Sequence, residues 1–163
     1  MNEISYRFGI DIGSTTAKIV VLDESGEMLF FAYQRHNTEV LVAVHALLDK
    51  AQRALGECTG QILFTGSAGM GLCEQFDLPF IQEVIASAEV IRCRYPRVQT
   101  LMDIGGEDAK LIFFDGAQPD IRMNGACAGG TGAFIDQMAT LLNVSILELD
   151  ALAAEHTNVL PIA

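Results

Sequence analysis

Residues 6–34 contain apolar stretches of strand length separated by turn residues, a pattern that is typical of consecutive β-strands. We predict strands at residues 6–12, 17–23 and 28–34, separated by short turns that contain Gly13 and Gly26. Strands joined by such short turns form an antiparallel meander. The pattern then changes to a helical period over residues 38–55. The apolar residues that share one face of this predicted helix are Val40, Val44, Leu47, Leu48, Ala51 and Leu55.

The rest of the chain alternates strands with helices. The predicted strands are a short buried one at 61–65 and three more at 98–104, 109–114 and about 118–123. The predicted helices lie at 82–93, 132–143 and 145–155, the last with a capping box made by Ser145 and Glu148. Strand–helix alternation after an antiparallel meander predicts an α/β domain of ribonuclease-H-like type, with a mixed sheet flanked by helices.

Composition and charge exclude several classes of function. The 163 residues are 50% apolar and 19% charged, which is ordinary for one substantial domain or two small lobes. A net charge of −11 without a basic cluster argues against binding nucleic acid or an anionic membrane surface. One nucleotide remains compatible, because backbone N–H groups and a magnesium ion can hold its phosphates. The sequence shows neither a membrane-spanning apolar run nor a secretory signal, so we expect a cytoplasmic protein.

The first motif with chemical character joins the first two predicted strands. It places Asp11 at the end of an apolar strand, followed by a glycine turn, three hydroxyl residues and a lysine. Glycine lets the backbone approach an anion closely, and successive N–H groups can wrap phosphates while the carboxylate positions hydrated magnesium. An ordinary hairpin whose acid caps its turn would contain the same residues.

The same design recurs from Asp103 to Lys110, where an apolar strand, an acid and two glycines precede a return strand. Neither segment has the spacing of a Walker A loop. One such unit is a weak signal, but two in matching register indicate two similar hairpins that face one ligand.

These hairpins resemble the two phosphate motifs of the actin/Hsp70/hexokinase superfamily. The resemblance implies that Asp11 and Asp103 hold magnesium through water. It also implies an actin-like ATPase fold in which ATP or ADP is bound between the two turns. The residues that it assigns to the nucleotide are Gly13, Ser14, Thr15, Thr16 and Lys18 on one side, and Gly105 and Gly106 on the other.

A third motif, the glycine-rich loop 124–132, places Cys127 shortly before a predicted helix. N–H groups at a helix start can bind an anion, and a thiol there can be a low-pKa thiolate or a metal ligand. We assign the anion-binding role to Gly130, Thr131 and Gly132. A flexible loop with an incidental thiol also fits these residues. The other cysteines, Cys58, Cys73 and Cys93, form no C-x-x-C pair and have apolar neighbours.

The segment from Met123 to Ala139 resembles the C-A-[AG]-G-T-G-x-F-[LI]-D stretch of the 2-hydroxyglutaryl-CoA dehydratase activators and benzoyl-CoA reductase ATPase subunits. The resemblance covers nearly the whole chain, with the motifs in the family's order. It implies ATP hydrolysis coupled to electron transfer, from a ferredoxin or flavodoxin to a 2-hydroxyacyl-CoA dehydratase. It also implies that Cys127 ligates a [4Fe–4S] cluster shared across a homodimer, to which each subunit gives two cysteines.

Two features of the family's pattern are missing. Its second cluster cysteine lies beyond the first, whereas Cys58, Cys73 and Cys93 all precede Cys127. The adenosine-binding glycine motif of the second lobe is absent as well. We therefore expect residues 1–163 to be the N-terminal ATPase domain plus the start of the second lobe, with little activity on their own.

Around residue 83 the family reads Ser-Glu-x-Ser-Cys-His-Ala, and this sequence keeps the acid but neither the cysteine nor the histidine. Glu83 is a candidate for orienting the attacking water or a magnesium-bound water. A solvated acid at a helix start is the other interpretation of Glu83. The three histidines, His36, His45 and His156, are assigned to surface or core positions.

Two other functions stay open from the residues alone. A small-molecule kinase of the sugar-kinase type would use the same phosphate hairpins. A nonenzymatic regulatory module would bind nucleotide without redox chemistry.

Overall fold

The computed structural model describes residues 5–114, 119–123 and 130–159. Its strands are β1 (Ser5–Ile12), β2 (Thr16–Leu22), β3 (Met28–Arg35), β4 (Thr59–Thr65), β5 (Thr100–Ile104), β6 (Ala109–Phe113) and β7 (Asp120–Met123). Its helices are α1 (Val40–Leu55), α2 (Met70–Phe76), α3 (Glu83–Arg94), α4 (Gly132–Leu142) and α5 (Ile146–Ala154). The chain forms two compact units, one ending at Pro96 and the other beginning at Arg97.

The first unit is built on a mixed sheet of strand order β3-β2-β1-β4. The predicted meander is confirmed, because β2 pairs in antiparallel register with both β1 and β3. After α1, strand β4 pairs with β1 in parallel. The predicted mixed sheet that opens with an antiparallel meander is therefore present.

Strand alternation decides which side of this sheet is core. Ile10, Ile12, Ile19 and Val21 are fully buried on the side that α1 covers. The predicted apolar face of α1 is confirmed, because all of its residues lie in the core or pack against it. These residues are Val40, Val44, Leu47, Leu48, Ala51 and Leu55. Asp11 lies between two buried isoleucines, so its side chain emerges on the opposite side of the sheet.

Two details differ from the sequence prediction. The segment predicted as a short buried strand, β4, has Phe64 as its only buried residue, because β4 is the last strand of its sheet. The glycine-rich residues after β4 also contain a helix, α2, which the sequence did not predict. Glycine has low helix propensity, so Gly69 and Gly71 argued against a helix that begins here.

Gly66 brings the loop between β4 and α2 against the end of β1. Its φ of +98° lies in the left-handed region, which favours glycine. A Cβ at this position would lie 2.3 Å from the Ile12 carbonyl oxygen and 2.5 Å from Asp11 Oδ1. The Ala68 N–H also donates to the Ile12 carbonyl oxygen, at 3.0 Å. The absence of a side chain at Gly66 thus lets this loop pack directly beside Asp11.

The second unit contains the antiparallel sheet β5-β6-β7, followed along the chain by α4 and α5. The predicted capping box of α5 is confirmed: the Glu148 N–H donates to Ser145 Oγ at 3.2 Å, and the Ser145 N–H donates to Glu148 Oε2 at 2.7 Å. The hydrogen bond from the Ser145 backbone lowers the pKa of the Glu148 carboxyl. Across the described ranges, none of the helices has the length and apolar character needed to cross a membrane.

Replacement of Gly66 by alanine tests the close packing beside Asp11. We expect Gly66→Ala to lower the free energy of unfolding by at least about 2 kcal/mol, because the new Cβ meets backbone and the φ becomes strained. Gly71→Ala is the matched control, since a Cβ there meets nothing within 4 Å. We expect it to change stability by less than about 1 kcal/mol, in the stabilising direction. Urea unfolding followed by circular dichroism measures both, and equal effects would contradict the packing described.

Candidate nucleotide-binding site

The first hairpin sets an acid and a lysine opposite each other beside a closed turn. Asp11 of β1 is the Cα partner of Lys18 of β2. Lys18 Nζ lies 2.6 Å from Asp11 Oδ2, and the two side chains are 43% and 32% exposed. The Gly13 N–H donates to the Thr16 carbonyl oxygen at 2.9 Å, which closes the turn. The ion pair is therefore preformed and open to a ligand.

The turn itself presents unused donors. Among the residues that the structure describes, the N–H groups of Ser14 and Thr15 donate to no protein acceptor. A Cβ added at Gly13 would meet only ordinary contacts, the nearest being the Thr16 carbonyl oxygen at 3.6 Å. Unpaired N–H groups on a tight turn form a concave donor surface that suits phosphate oxygens.

The second hairpin repeats the first position by position. Asp103 of β5 is the Cα partner of Lys110 of β6, and the Gly105 N–H donates to the Asp108 carbonyl oxygen at 2.8 Å. A Cβ at Gly105 would lie 2.6 Å from Asp108 Oδ1, so a larger residue here would displace the Asp108 side chain. The repeated hairpin design predicted from the sequence is therefore present. Lys110 differs from Lys18 in being buried, with its Nζ 2.8 Å from Asp108 Oδ2.

The start of α4 is fastened to this second turn. The Gly132 N–H donates to the Gly105 carbonyl oxygen at 3.0 Å, and the Ala133 N–H donates to the Gly106 carbonyl oxygen at 2.8 Å. Thr131, which precedes the helix, is completely buried. The structure thus brings Gly105, Gly106, Thr131 and Gly132 together. Two N–H groups of this helix start serve the protein rather than a ligand, and an anion-binding role for Gly130, Thr131 and Gly132 stays a prediction.

A cavity of about 300 Å³ opens on the Asp11 side of the first sheet. Asp11, Lys18 and Thr65 border this cavity, whose surface is almost entirely apolar. Thr65 is the Cα partner of Asp11 in β4, and in the described part of the chain its buried Oγ1 has no hydrogen-bond partner. A buried hydroxyl without a partner is costly. The partly exposed Asp11 carboxylate and the neighbouring Thr65 hydroxyl are oxygen groups of the kind that a hydrated magnesium ion prefers, and such an ion would keep several of its waters.

Glu83 begins α3, and the start of this helix borders the same cavity. Ile81, just before α3, and Ala86 in its first turns both line the cavity. The N–H of Ile81 donates to the Phe64 carbonyl oxygen at 2.9 Å, which fixes the entry to α3 beside β4. Glu83 itself is half-buried. Its role towards water or magnesium stays a prediction.

The site residues predicted from the sequence fall into two groups. Asp11, the first turn and Glu83 belong to the first unit, and Asp103, the second turn and the start of α4 belong to the second. Closure of both groups on one nucleotide stays a prediction. Cys127, the predicted cluster ligand, lies outside the described residues.

The three cysteines within the described ranges have different surroundings. Cys73 is buried, as expected of a small hydrophobe, and burial raises the pKa of its thiol. The expectation of an apolar setting is wrong for Cys93, which is exposed because it lies on the outer side of α3 and donates to Glu89 Oε1 at 3.3 Å. Cys58 is half-buried. Within the ranges that the structure describes, no three His, Cys, Asp or Glu side chains gather as a metal site would require.

Two residues beside the first hairpin were not recognised from the sequence as parts of the site. Thr65 follows from strand register, because a parallel partner of β1 must end next to Asp11. His36 was assigned only to a surface or core position, and it is 6% exposed with Nε2 3.0 Å from the Gly13 carbonyl oxygen. The predicted meander could have indicated that His36 lies near the turn. Arg35 pairs with Thr16, so the next residue, His36, lies opposite Thr15.

Comparisons with known proteins agree with this fold. Residues 8–160 match the model of the BadF/BadG/BcrA/BcrD ATPase family. The chain is 33% identical over 161 residues to the activator of lactoyl-CoA dehydratase from Anaerotignum propionicum, covering 97% of this chain and 62% of the relative. It is 32% identical over 162 residues to the (R)-2-hydroxyglutaryl-CoA dehydratase activating ATPase from Acidaminococcus fermentans, covering 93% and 59%.

Solved structures give the same result. The activator of the 2-hydroxyisocaproyl-CoA dehydratase from Clostridium difficile, with bound ADPNP, superposes with a TM-score of 0.79 at 29% identity. That match covers 97% of this chain and 60% of the other. The chain thus spans about three fifths of the length of the curated relatives it matches. The predicted ribonuclease-H-like, actin-like ATPase fold and the family resemblance are confirmed, and the chain belongs to the BadF/BadG/BcrA/BcrD ATPase family.

Proposed function

We propose that the protein is the ATP-binding and ATP-hydrolysing part of an iron–sulfur activator that drives electron transfer to a 2-hydroxyacyl-CoA dehydratase. The observation that carries the proposal is the position-by-position match of the two hairpins, Asp11–Lys18 and Asp103–Lys110. Each hairpin ends in a turn closed by a glycine N–H. The relatives named as dehydratase activators, one of them an ATPase and one with ADPNP bound, support the same function.

Residue roles follow from what each hairpin offers. The turn N–H groups and hydroxyls of Ser14, Thr15 and Thr16 bind phosphate oxygens on one side, and the Gly105–Gly106 turn binds them on the other. Lys18 pairs with phosphate charge when it leaves Asp11. Asp11 and Asp103 hold the waters of a magnesium ion, and the ion supplies charge neutralisation for the phosphates when bound. Glu83 orients the attacking water.

The redox part of the proposal rests on the sequence of one loop and on the family. A [4Fe–4S] cluster takes four thiolate ligands, so a homodimer would supply two from each subunit, and Cys127 is the first of the two. Ferredoxin or flavodoxin is the proposed electron donor, and the proposed compartment is the cytoplasm. Nucleotide can drive such a transfer only if it binds two conformations of the dimer unequally.

Replacement of Asp11 tests the proposed nucleotide chemistry. In the full-length protein we expect Asp11→Ala to lower ATP turnover by on the order of 100-fold or more, because the carboxylate that would hold the magnesium ion at the phosphates is removed. Folding should be retained within about 1 kcal/mol, since the Asp11–Lys18 pair is partly exposed. Phosphate release and thermal unfolding measure the two effects. Asp49→Ala, at an exposed acid paired with His45, is the control, and unchanged turnover in Asp11→Ala contradicts the role of this carboxylate.

Replacement of Cys127 separates the activator from the two alternative functions. In full-length protein purified without oxygen, we expect Cys127→Ser to lose bound iron and visible absorption while binding MgATP as the wild type does. Cys93→Ser, at an exposed thiol, is the control and should keep its iron. Iron that is absent from the wild type, or unchanged in Cys127→Ser, contradicts the cluster. Phosphate transfer to a small alcohol in place of water would favour the kinase.

A further inference from the structure

We infer that His36 is a positioning residue of the nucleotide site: its imidazole holds the Gly13 carbonyl so that the Ser14 N–H faces the phosphates. The inference deepens the proposed function and depends on it. His36 is 6% exposed and lies between β3 and α1, outside the turn that binds the ligand. It acts on the nucleotide only through the backbone of that turn.

Two hydrogen bonds select one tautomer of the imidazole. The Thr38 N–H lies 3.2 Å from His36 Nδ1, and a backbone N–H can only donate. Nδ1 must therefore carry the lone pair, and in the neutral ring the hydrogen is on Nε2. Nε2 lies 3.0 Å from the Gly13 carbonyl oxygen, which can only accept. The two contacts require the same tautomer, so the donor to Gly13 is set by the protein.

The planarity of the peptide bond passes this contact on to Ser14. The Gly13 carbonyl and the Ser14 N–H belong to one trans peptide unit, in which the two groups point in opposite directions. Because the Gly13 carbonyl points towards His36, the Ser14 N–H points away from His36, to the other side of the turn. In the part of the chain that the structure describes, this N–H has no protein acceptor. It is a free, oriented donor.

His36 also holds the turn through its own backbone. Its N–H donates to the Thr15 carbonyl oxygen at 3.3 Å, so the same residue contacts the peptide units on both sides of the Ser14–Thr15 pair. His36 is itself buried, so little water competes for the hydrogen bonds of its ring. Together the two contacts restrain the hairpin tip before any ligand arrives, which is what preorganisation of a phosphate site requires.

The backbone after His36 is strained in a way that serves the imidazole. Asn37 and Thr38 have φ values of 46° and 70°, in the left-handed region. A β-branched residue such as Thr38 seldom adopts this conformation, and such outliers concentrate at functional positions. Here the conformation turns the Thr38 N–H back towards Nδ1 and the Glu39 N–H towards the His36 carbonyl oxygen, 2.7 Å away.

The first test measures the tautomer without any nucleotide. In ¹⁵N spectra of histidine-labelled protein, the ring signals that disappear in His36→Gln are those of His36. We expect the neutral Nε2–H form with Nδ1 unprotonated. A Nδ1–H tautomer overturns the inference, whatever the nucleotide affinity. This measurement also decides the matter if a binding variant fails to fold.

The second test compares affinity for MgATP in full-length wild type, His36→Gln and His36→Leu by calorimetry. Glutamine offers an N–H donor at a similar reach, whereas leucine fills space without donating. We expect His36→Leu to bind on the order of tenfold more weakly, as loss of one oriented hydrogen bond predicts, and His36→Gln to stay within about threefold of wild type. His45→Leu, at an exposed histidine of α1, should bind as wild type does.

The outcomes separate this inference from the proposed function. Equal affinity in wild type and His36→Leu overturns the inference alone, as does a loss in His36→Gln as large as in His36→Leu at matched thermal stability. A wild type that does not bind MgATP overturns the proposed function and the inference with it. Recovery of binding by glutamine but not by leucine supports the inference, because a purely structural role would not distinguish a donor from an isosteric filler.

Discussion

The alternation of side chains along β1 is the constraint on which the site depends. Ile10 and Ile12 are buried against α1, so Asp11 has to emerge on the other side of the sheet. Antiparallel pairing then sets Lys18 opposite Asp11, and parallel pairing sets Thr65 next to it. The placement of Asp11, Lys18 and Thr65 beside the cavity is thus a consequence of how the apolar core is built. A one-residue slip of β1 would move Asp11 into that core.

Much of the fold could be predicted because local pattern and tertiary structure agree. The meander, the apolar face of α1 and the Ser145–Glu148 capping box each follow from a short-range rule, and each is present. The prediction failed where a local rule conflicted with context. The glycines around α2 argued against a helix, yet the αL conformation of Asp77 and a bond from its N–H to the Cys73 carbonyl oxygen terminate a helix there.

The candidate site was predictable to a smaller extent. The carboxylates and turns of the two hairpins could be named, because an acid followed by glycine at a strand end is visible in sequence and its hairpin register repeats. Thr65 and His36 could not be singled out as site residues. Their importance comes from an unsatisfied hydroxyl and from a contact to a carbonyl, and neither property belongs to a residue type.

The two hairpin lysines, Lys18 and Lys110, differ in burial, and this difference decides whether each can leave its carboxylate for another anion. Lys18 is 43% exposed, so its ammonium can exchange Asp11 for another anion while remaining solvated throughout. The side chain of Lys110 is 6% exposed, and removing it from the interior would expose apolar surroundings and strand a charge. The Lys18 ion pair can therefore change its anionic partner at low energetic cost, whereas the Lys110 ion pair stays in place.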